Sequence, residues 1–163
     1  MDKKFSECNA FFEFDHLNED GRIMYHDMGQ WLVMTDGHRL FNNDEDGKWV
    51  LVGASDDAMF SFVHHLFDMI KNNVIRIGKV DTLMVNGTTA FIIYVKSNDI
   101  ESQKKVLKYL IEHDLIRRTK TGKLYNISFK FDRQTRLGEY GDKFNSEIKL
   151  SDFVDLNTGE FII

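Results

Sequence analysis

A β-hairpin signal set between two one-sided helical stripes constrains this chain most. Asn86-Gly87 separates the runs Lys79–Val85 and Thr88–Lys96. A two-residue turn of this kind needs positive φ at both central positions, which Asn and Gly adopt most readily. Strands joined by so short a turn must run antiparallel. Before the hairpin, Ser55 precedes Asp56 and Asp57, a cap and first-turn charges suited to a helix N-terminus. Met59, Phe60, Phe62, Val63, Leu66, Phe67 and Ile70 then recur at helical steps until Lys71-Asn72-Asn73 closes the pattern. After the hairpin, a capping box over Asn98–Glu101 opens a second stripe of Val106, Leu107, Leu110, Ile111 and Leu115. Helices apolar on one side pack on a sheet, and two of them cover only one of its faces.

The other segments fit that frame. Trp31–Thr35, ended by Asp36-Gly37, and Lys48–Gly53 are strand-like runs ahead of the first helix. Phe91–Val95, apolar on both faces, reads as a central strand. Over 125–132 the alternation is clean: Tyr125, Ile127, Phe129 and Phe131 share one face, and Asn126, Ser128, Lys130 and Asp132 the other. The tail from Leu137 is expected to add one or two short strands. The order β, β, α, β-hairpin, α, β predicts an α+β fold: a curved antiparallel sheet with two helices on its back and an open, partly polar front. Residues 31–163 read as a single domain. Residues 1–30 read as an N-terminal arm that lays Phe11, Phe12 and Phe14 on the body and holds a short strand. The chain has no proline, so its turns are marked by Gly, Asn and Asp, and folding has no slow X-Pro step.

Several function classes are excluded. No apolar run approaches the roughly 20 residues that span a bilayer, and the polar N-terminus has no signal-peptide core, so no membrane role is expected. The one cysteine, Cys8, forbids an internal disulfide and suits a reducing, cytoplasmic location. Asn42-x-Asp44-x-Asp46-Gly47 imitates the start of a calcium loop, but Gly53 stands where the bidentate Glu belongs. His64 and His65 are adjacent on a helix and point apart. No Gly-rich phosphate loop, nucleophile elbow or paired-Cys motif occurs. Neither a metal nor a cofactor is expected.

Charge is unevenly spread. Between Arg117 and Arg136 lie Arg117, Arg118, Lys120, Lys123, Lys130, Arg133 and Arg136 against Asp132 alone, seven minus one, or +6. The whole chain carries −5, so the remainder carries −5 less +6, or −11. Such a block can hold a phosphate or carboxylate while the rest repels a long polyanion, so an extended nucleic acid is not an expected partner. The alternative is a solvated loop and strand edge kept soluble by its lysines. Lys130 with Asn126 and Ser128 at period two could grip one phosphate, and the forks of Arg133 and Arg136 match phosphate geometry. Phe41, Trp31, Trp49 and Tyr94 supply flat faces on which a base could stack. Trp49 is better read as core, and Phe41, among polar loop residues, is the better stacking candidate.

This pattern from Trp31 to Asp132 resembles the eukaryotic mRNA cap-binding initiation-factor fold. Asp36-Gly37, the aromatic Phe41, the acidic run Asp44–Asp46 and Gly47-Lys48-Trp49 look like that family's approach to its central strand. The resemblance implies that Phe41 stacks a base, Asn42 reads its edge and Lys48 helps hold phosphates. The family's second phosphate grip sits on its hairpin tip, and here Val85–Thr89 is neutral. A closer likeness is to the basophilic-leukaemia-expressed protein family, whose fold is similar. It rests on Gly47-Lys48-Trp49, Gly78-Lys79-Val80, Ile93-Tyr94-Val95 with Asp99, and Lys130-x-Asp132-x-x-Thr135-x-x-Gly138-x-Tyr140. Some members of that family carry a phosphothreonine-lyase label. The expectation is a non-catalytic domain that binds a nucleotide or other phosphorylated small ligand on its open face, through Phe41, Asn42, Lys48, Lys130, Arg133 and Arg136. The alternatives are a lyase-like enzyme with Lys130 as base and a histidine as acid, or a module that docks a protein partner on its helical face.

Overall fold

A computed structural model of the chain describes residues 17–37 and 46–163. The elements are β1 (Met24–Asp27), β2 (Trp31–Thr35), β3 (Asp46–Gly53), α1 (Asp56–Lys71), β4 (Ile77–Asp81), β5 (Thr89–Lys96), α2 (Ile100–Glu112), β6 (Ser128–Phe131), α3 (Asp132–Arg136) and β7 (Ile148–Lys149). The strands follow the order β1-β2-β4-β5-β3-β6-β7 in an open sheet whose registered pairs are antiparallel. The fold is therefore α+β with an antiparallel sheet, as the hairpin and stripes predicted. Among the described residues no helix is long and apolar enough to cross a membrane. Contacts divide the chain into two compact units, Met1–Arg39 with Val52–Ile93 and Leu40–Leu51 with Tyr94–Ile163, and the division cuts across β3 and β5.

In the first unit, Ser55 caps α1 as expected, its Oγ accepting from the Ala58 N–H at 3.0 Å. The buried stripe Met59, Phe62, Val63, Leu66, Phe67, Met69 and Ile70 packs α1 on β2 and β4, with Phe62 and Phe91 ring centroids 5.5 Å apart. The region read as an arm holds a short strand, as expected. Met24–Asp27 pairs with β2, and the Tyr25 ring stacks on Phe67 at 6.5 Å. Arg22 Nη2 donates to the Ile70 and Lys71 carbonyls at 3.0 and 2.9 Å, and Nη1 to Asn73 Oδ1 at 3.2 Å. It thereby satisfies carbonyls that the end of α1 leaves without helical partners. Phe11, Phe12 and Phe14 lie outside the described residues.

The hairpin exists with a wider turn than its sequence signal. Its register pairs Gly78 with Ile93, Lys79 with Ile92 and Val80 with Phe91, and β4 ends at Asp81. The Asp81 carboxylate accepts from the Leu83 and Met84 amides at 3.0 Å each, while its carbonyl accepts from Thr89 Oγ1 at 2.6 Å. Met84 takes positive φ along with Gly87. A side-chain acceptor at the strand end has outcompeted the ladder for these amides.

In the second unit, Trp49 is fully buried, edge-on to Phe129 and Phe153 at 5.5 and 6.1 Å. Its Nε1 donates to Gln103 Oε1 of α2 at 2.6 Å, and Gln103 Nε2 donates to the Lys96 carbonyl at 3.2 Å. Trp49 thus faces α2, and its strand neighbours Lys48 and Val50 face the other way. The expected cap over Asn98–Glu101 is displaced by one residue: Asp99 caps α2, accepting from Ser102 N and Oγ at 3.1 and 2.7 Å. Val106, Leu107 and Leu110 are buried as the stripe predicted. β6 is shorter than the alternation suggested, because Asn126 turns away to bond Ser151 Oγ and N at 3.0 and 2.9 Å. The tail supplies β7 and an isolated bridge between Val154 and Phe161, matching the short strands expected there.

Candidate functional site

The second unit gathers two lysines, a carboxylate and three aromatic rings on the face of β3 and β6 opposite Trp49. The register sets Gly47 against Phe131, Lys48 against Lys130 and Trp49 against Phe129. Gly47 is required for that pairing. A Cβ there would overlap the Phe129 ring edge and lie 2.8 Å from the Lys130 carbonyl oxygen. Lys48 Nζ bonds Asp132 Oδ1 at 2.8 Å, with side chains only 12% and 13% exposed, and sits 5.7 Å from the Tyr94 ring centroid. Lys130 Nζ lies 3.7 Å from the Tyr140 ring centroid and 5.4 Å from that of Phe144. Ammonium groups at such distances from aromatic faces are attracted by the ring quadrupole.

Local structure explains how Tyr140 returns to Lys130. β6 gives way directly to α3, whose start is fixed by Gln134 Oε1 accepting from Phe131 N at 3.0 Å. At its end Gly138 takes φ of 72°. Gly138 N donates to the Thr135 carbonyl and Glu139 N to the Gln134 carbonyl, at 3.1 and 2.9 Å, the paired bonds of a Schellman motif. The chain reverses there and brings back Tyr140. Charge is compressed in this cluster. Burial, then the Lys48 ammonium, holds the Lys130 amine below its ordinary value, with Glu139 opposing. Burial, then the Asp132 carboxylate, pushes the Tyr94 phenol up to about 12.

The residues expected from sequence divide clearly. Lys48 and Lys130 are brought face to face. Arg133 and Arg136 sit on α3. Arg133 Nη2 is bonded to Glu147 Oε2 at 2.7 Å, with its guanidinium 4.3 Å over the Phe131 ring. Arg136 is exposed and makes no ion pair among the described residues. Asn126 is committed to Ser151, so the three-residue grip of Asn126, Ser128 and Lys130 does not form. Phe41 and Asn42 lie outside the described residues. The first half of the basic block is a separate tight turn, with Thr119 N bonded to the Lys123 carbonyl at 2.7 Å, Arg118 Nη1 to the Gly122 carbonyl at 3.0 Å, and Arg118 beside Asp114 at 3.7 Å.

Sequence reasoning did not foresee Asp132, Tyr140 and Phe144 as site residues. Asp132 and Tyr140 stand in the Lys130-to-Tyr140 pattern, which was a usable signal, whereas nothing marked Phe144. Asp46, the last residue of the acidic run, is a buried first residue of β3. Among the described residues no group of three His, Cys, Asp or Glu side chains could hold a metal ion. An open recess of about 440 Å³ in the first unit is lined by Leu17, Asn18, Asp20, Arg22, Ile23 and Lys71, among others. Its one guanidinium, Arg22, is already committed to the end of α1, so the Lys48–Lys130 cluster has the stronger chemistry for an anion. On the two long helices, Ile100 is the one exposed large apolar residue among those described, which gives a docked partner little apolar surface. No protein-family model matches the chain, and no curated protein does.

Proposed function

We propose that this protein is a binding domain for a phosphorylated small ligand with a flat base, a nucleotide above all, and that the ligand sits on the Lys48–Lys130 face of the second unit without being chemically changed. The observation that carries this reading is the pairing of two ammonium groups on adjacent strands beside Tyr94, Tyr140 and Phe144. Lys48 is held by Asp132, whereas Lys130 makes no ion pair among the described residues although Glu139 acts on it, so Lys130 is the ammonium left to take phosphate oxygens through charge-assisted hydrogen bonds. The rings give a base a face to stack on. Arg136, with no acidic partner among the described residues, adds a second donor fork. Phe41 and Asn42 remain proposed contacts to the base.

The finer fold assignment belongs to the same proposal: a cap-binding initiation-factor-like sheet in a member of the basophilic-leukaemia-expressed protein family, working in the cytoplasm. What supports it is that Gly47, Lys48, Lys130, Asp132, Gly138 and Tyr140, six of the residues on which the likeness rests, each have a role in one cluster. The lyase alternative draws on the depressed Lys130 amine, as a general base requires. Among the described residues, however, the groups acting on Lys130 are Lys48, Glu139, Tyr140 and Phe144, and none is a histidine to serve as the acid. A thermal-shift panel of nucleoside monophosphates, sugar phosphates and inorganic phosphate tests the reading. Nucleotides should raise the melting temperature more than phosphate does, and Lys130→Met should remove the difference. A flat response across the panel would sink it.

A further inference from the structure

Among the described residues of the second unit, one buried hydroxyl has no partner: Thr135 Oγ1 is sealed from solvent and makes no hydrogen bond. An orphaned buried polar group costs stability, so its presence calls for an explanation. Thr135 stands on α3, three residues after Asp132, and side chains at that spacing are neighbours on one face of a helix. Asp132 in turn is the carboxylate that holds Lys48, at 2.8 Å with both side chains largely buried. We propose that Thr135 is a positioning residue of the site, whose hydroxyl takes the Asp132 carboxylate when ligand phosphate takes Lys48. This deepens the binding reading above and rests on it.

The register sets Lys48 directly opposite Lys130, so a phosphate on Lys130 brings its remaining acceptor oxygens to Lys48. An Asp132 carboxylate that stayed in place would repel that phosphate. Stripped of Lys48 and given no other partner, it would be an unpaired charge in a largely buried position, which is strongly destabilising. A hydroxyl donor one turn along α3 removes both penalties. Rotation of the Asp132 side chain toward Thr135 carries its charge away from the phosphate, satisfies the orphan and leaves Lys48 to hold the ligand. The other polar side chains of α3 have other roles. Gln134 is bonded to the Phe131 amide and the Asn145 carbonyl at 3.0 and 2.9 Å, and Arg133 to Glu147 at 2.7 Å. Arg136 is exposed and belongs to the ligand in the binding reading. The Tyr94 phenol, raised in part by Asp132, is the other hydroxyl near the carboxylate, and a variant separates the two.

Calorimetric titration of the four nucleoside 5′-monophosphates at neutral pH, with thermal unfolding of the ligand-free proteins, tests this. Thr135→Val keeps the shape and removes the orphan, so the ligand-free variant should melt no lower than the native protein. It should nevertheless bind the nucleotide at least about fivefold more weakly, since a hydrogen bond to a charged group is worth more than that. Thr135→Ser keeps the hydroxyl and should bind within about twofold of native, as should Tyr94→Phe, which keeps its ring. In an Asp132→Ala background, with no carboxylate to move, Thr135→Val should change affinity by less than about twofold. If Asp132→Ala does not fold, Thr135→Ser and Tyr94→Phe decide. The inference is overturned if Thr135→Val loses less than the stated factor, if Thr135→Ser or Tyr94→Phe loses as much, or if the loss persists without Asp132. Should no nucleotide bind the native protein, the binding reading itself falls, and the inference with it.

Discussion

Gly47→Ala is the substitution that most sharply probes how the sheet is assembled around its lysines. Gly47 has no positive φ, so its backbone suits alanine, and at an open strand position the change would stabilise by about 0.4–1 kcal/mol through the unfolded chain. Here the added methyl meets the Phe129 ring and lies 2.8 Å from the Lys130 carbonyl oxygen. Phe129 cannot yield, because it is fully buried and held edge-on by Trp49 and Phe131 at 5.5 and 5.3 Å. Overpacking a site of this kind costs about 1–3 kcal/mol, so the steric cost outweighs the entropic gain and the net loss should be about 1–2 kcal/mol. For a chain of this size that lowers the melting temperature by roughly 2–8 °C. Equilibrium denaturation measures it, and Phe129→Leu in the same background should recover part of the loss, since residues in contact are not additive. If Gly47→Ala is neutral or stabilising, or if the two changes are strictly additive, Gly47 is not what permits Lys48 to face Lys130.

Other expectations follow from the same contacts. Tyr94 should ionise late, since burial and Asp132 raise its phenol to about 12 from 10.0. Below pH 10 both folded and unfolded states keep the proton and the stabilisation is complete. It then declines as the unfolded phenol ionises, and is gone once pH passes the folded value. The difference in stability between the native protein and Tyr94→Phe should therefore shrink by about 2–3 kcal/mol across that interval, and phenolate absorbance should lose its latest-titrating component in the variant. For the Lys48–Asp132 pair, whose burial lies between exposed and fully internal, a Lys48→Met, Asp132→Asn double-mutant cycle should give a coupling of about 1–3 kcal/mol. A value near zero would mean that the contact is idle. Gln103→Leu strands the Trp49 indole N–H and should cost about 1–3 kcal/mol, read by denaturation, with the fluorescence of Trp49 altered in the folded state.

The secondary structure of this chain was legible wherever one residue type decides a local conformation. Ser55 before two aspartates starts α1, the stripe through Phe62, Val63 and Leu66 is buried, and Trp49 is core. The reading slipped where a side chain intervenes in the backbone ladder. The Asp81 carboxylate takes the Leu83 and Met84 amides, so Asn86-Gly87 does not form the two-residue turn that its composition favours. α3 has only five residues, too few to show a helical period, and its first residue completes the alternation of β6. The site was half legible for a related reason. Lys48 and Lys130 stood out by charge, but pairing Lys48 with Asp132 spans 84 residues and depends on a strand register that no local pattern encodes. Likewise, Arg133 carries the right chemistry for phosphate, yet Glu147 claims it from a segment with no readable periodicity.

The most direct test of the account is calorimetric titration of adenosine, guanosine, cytidine and uridine 5′-monophosphates into the native protein and Lys130→Met. Methionine keeps an apolar stem against the Tyr140 ring while removing the charge, so the fold should be retained, as thermal unfolding can verify. At least one nucleotide should bind the native protein, and Lys130→Met should weaken it at least about tenfold, the scale of one lost charge-assisted bond. Absence of binding by all four, or equal binding by the folded variant, would contradict the claim that the Lys48–Lys130 face holds a phosphate.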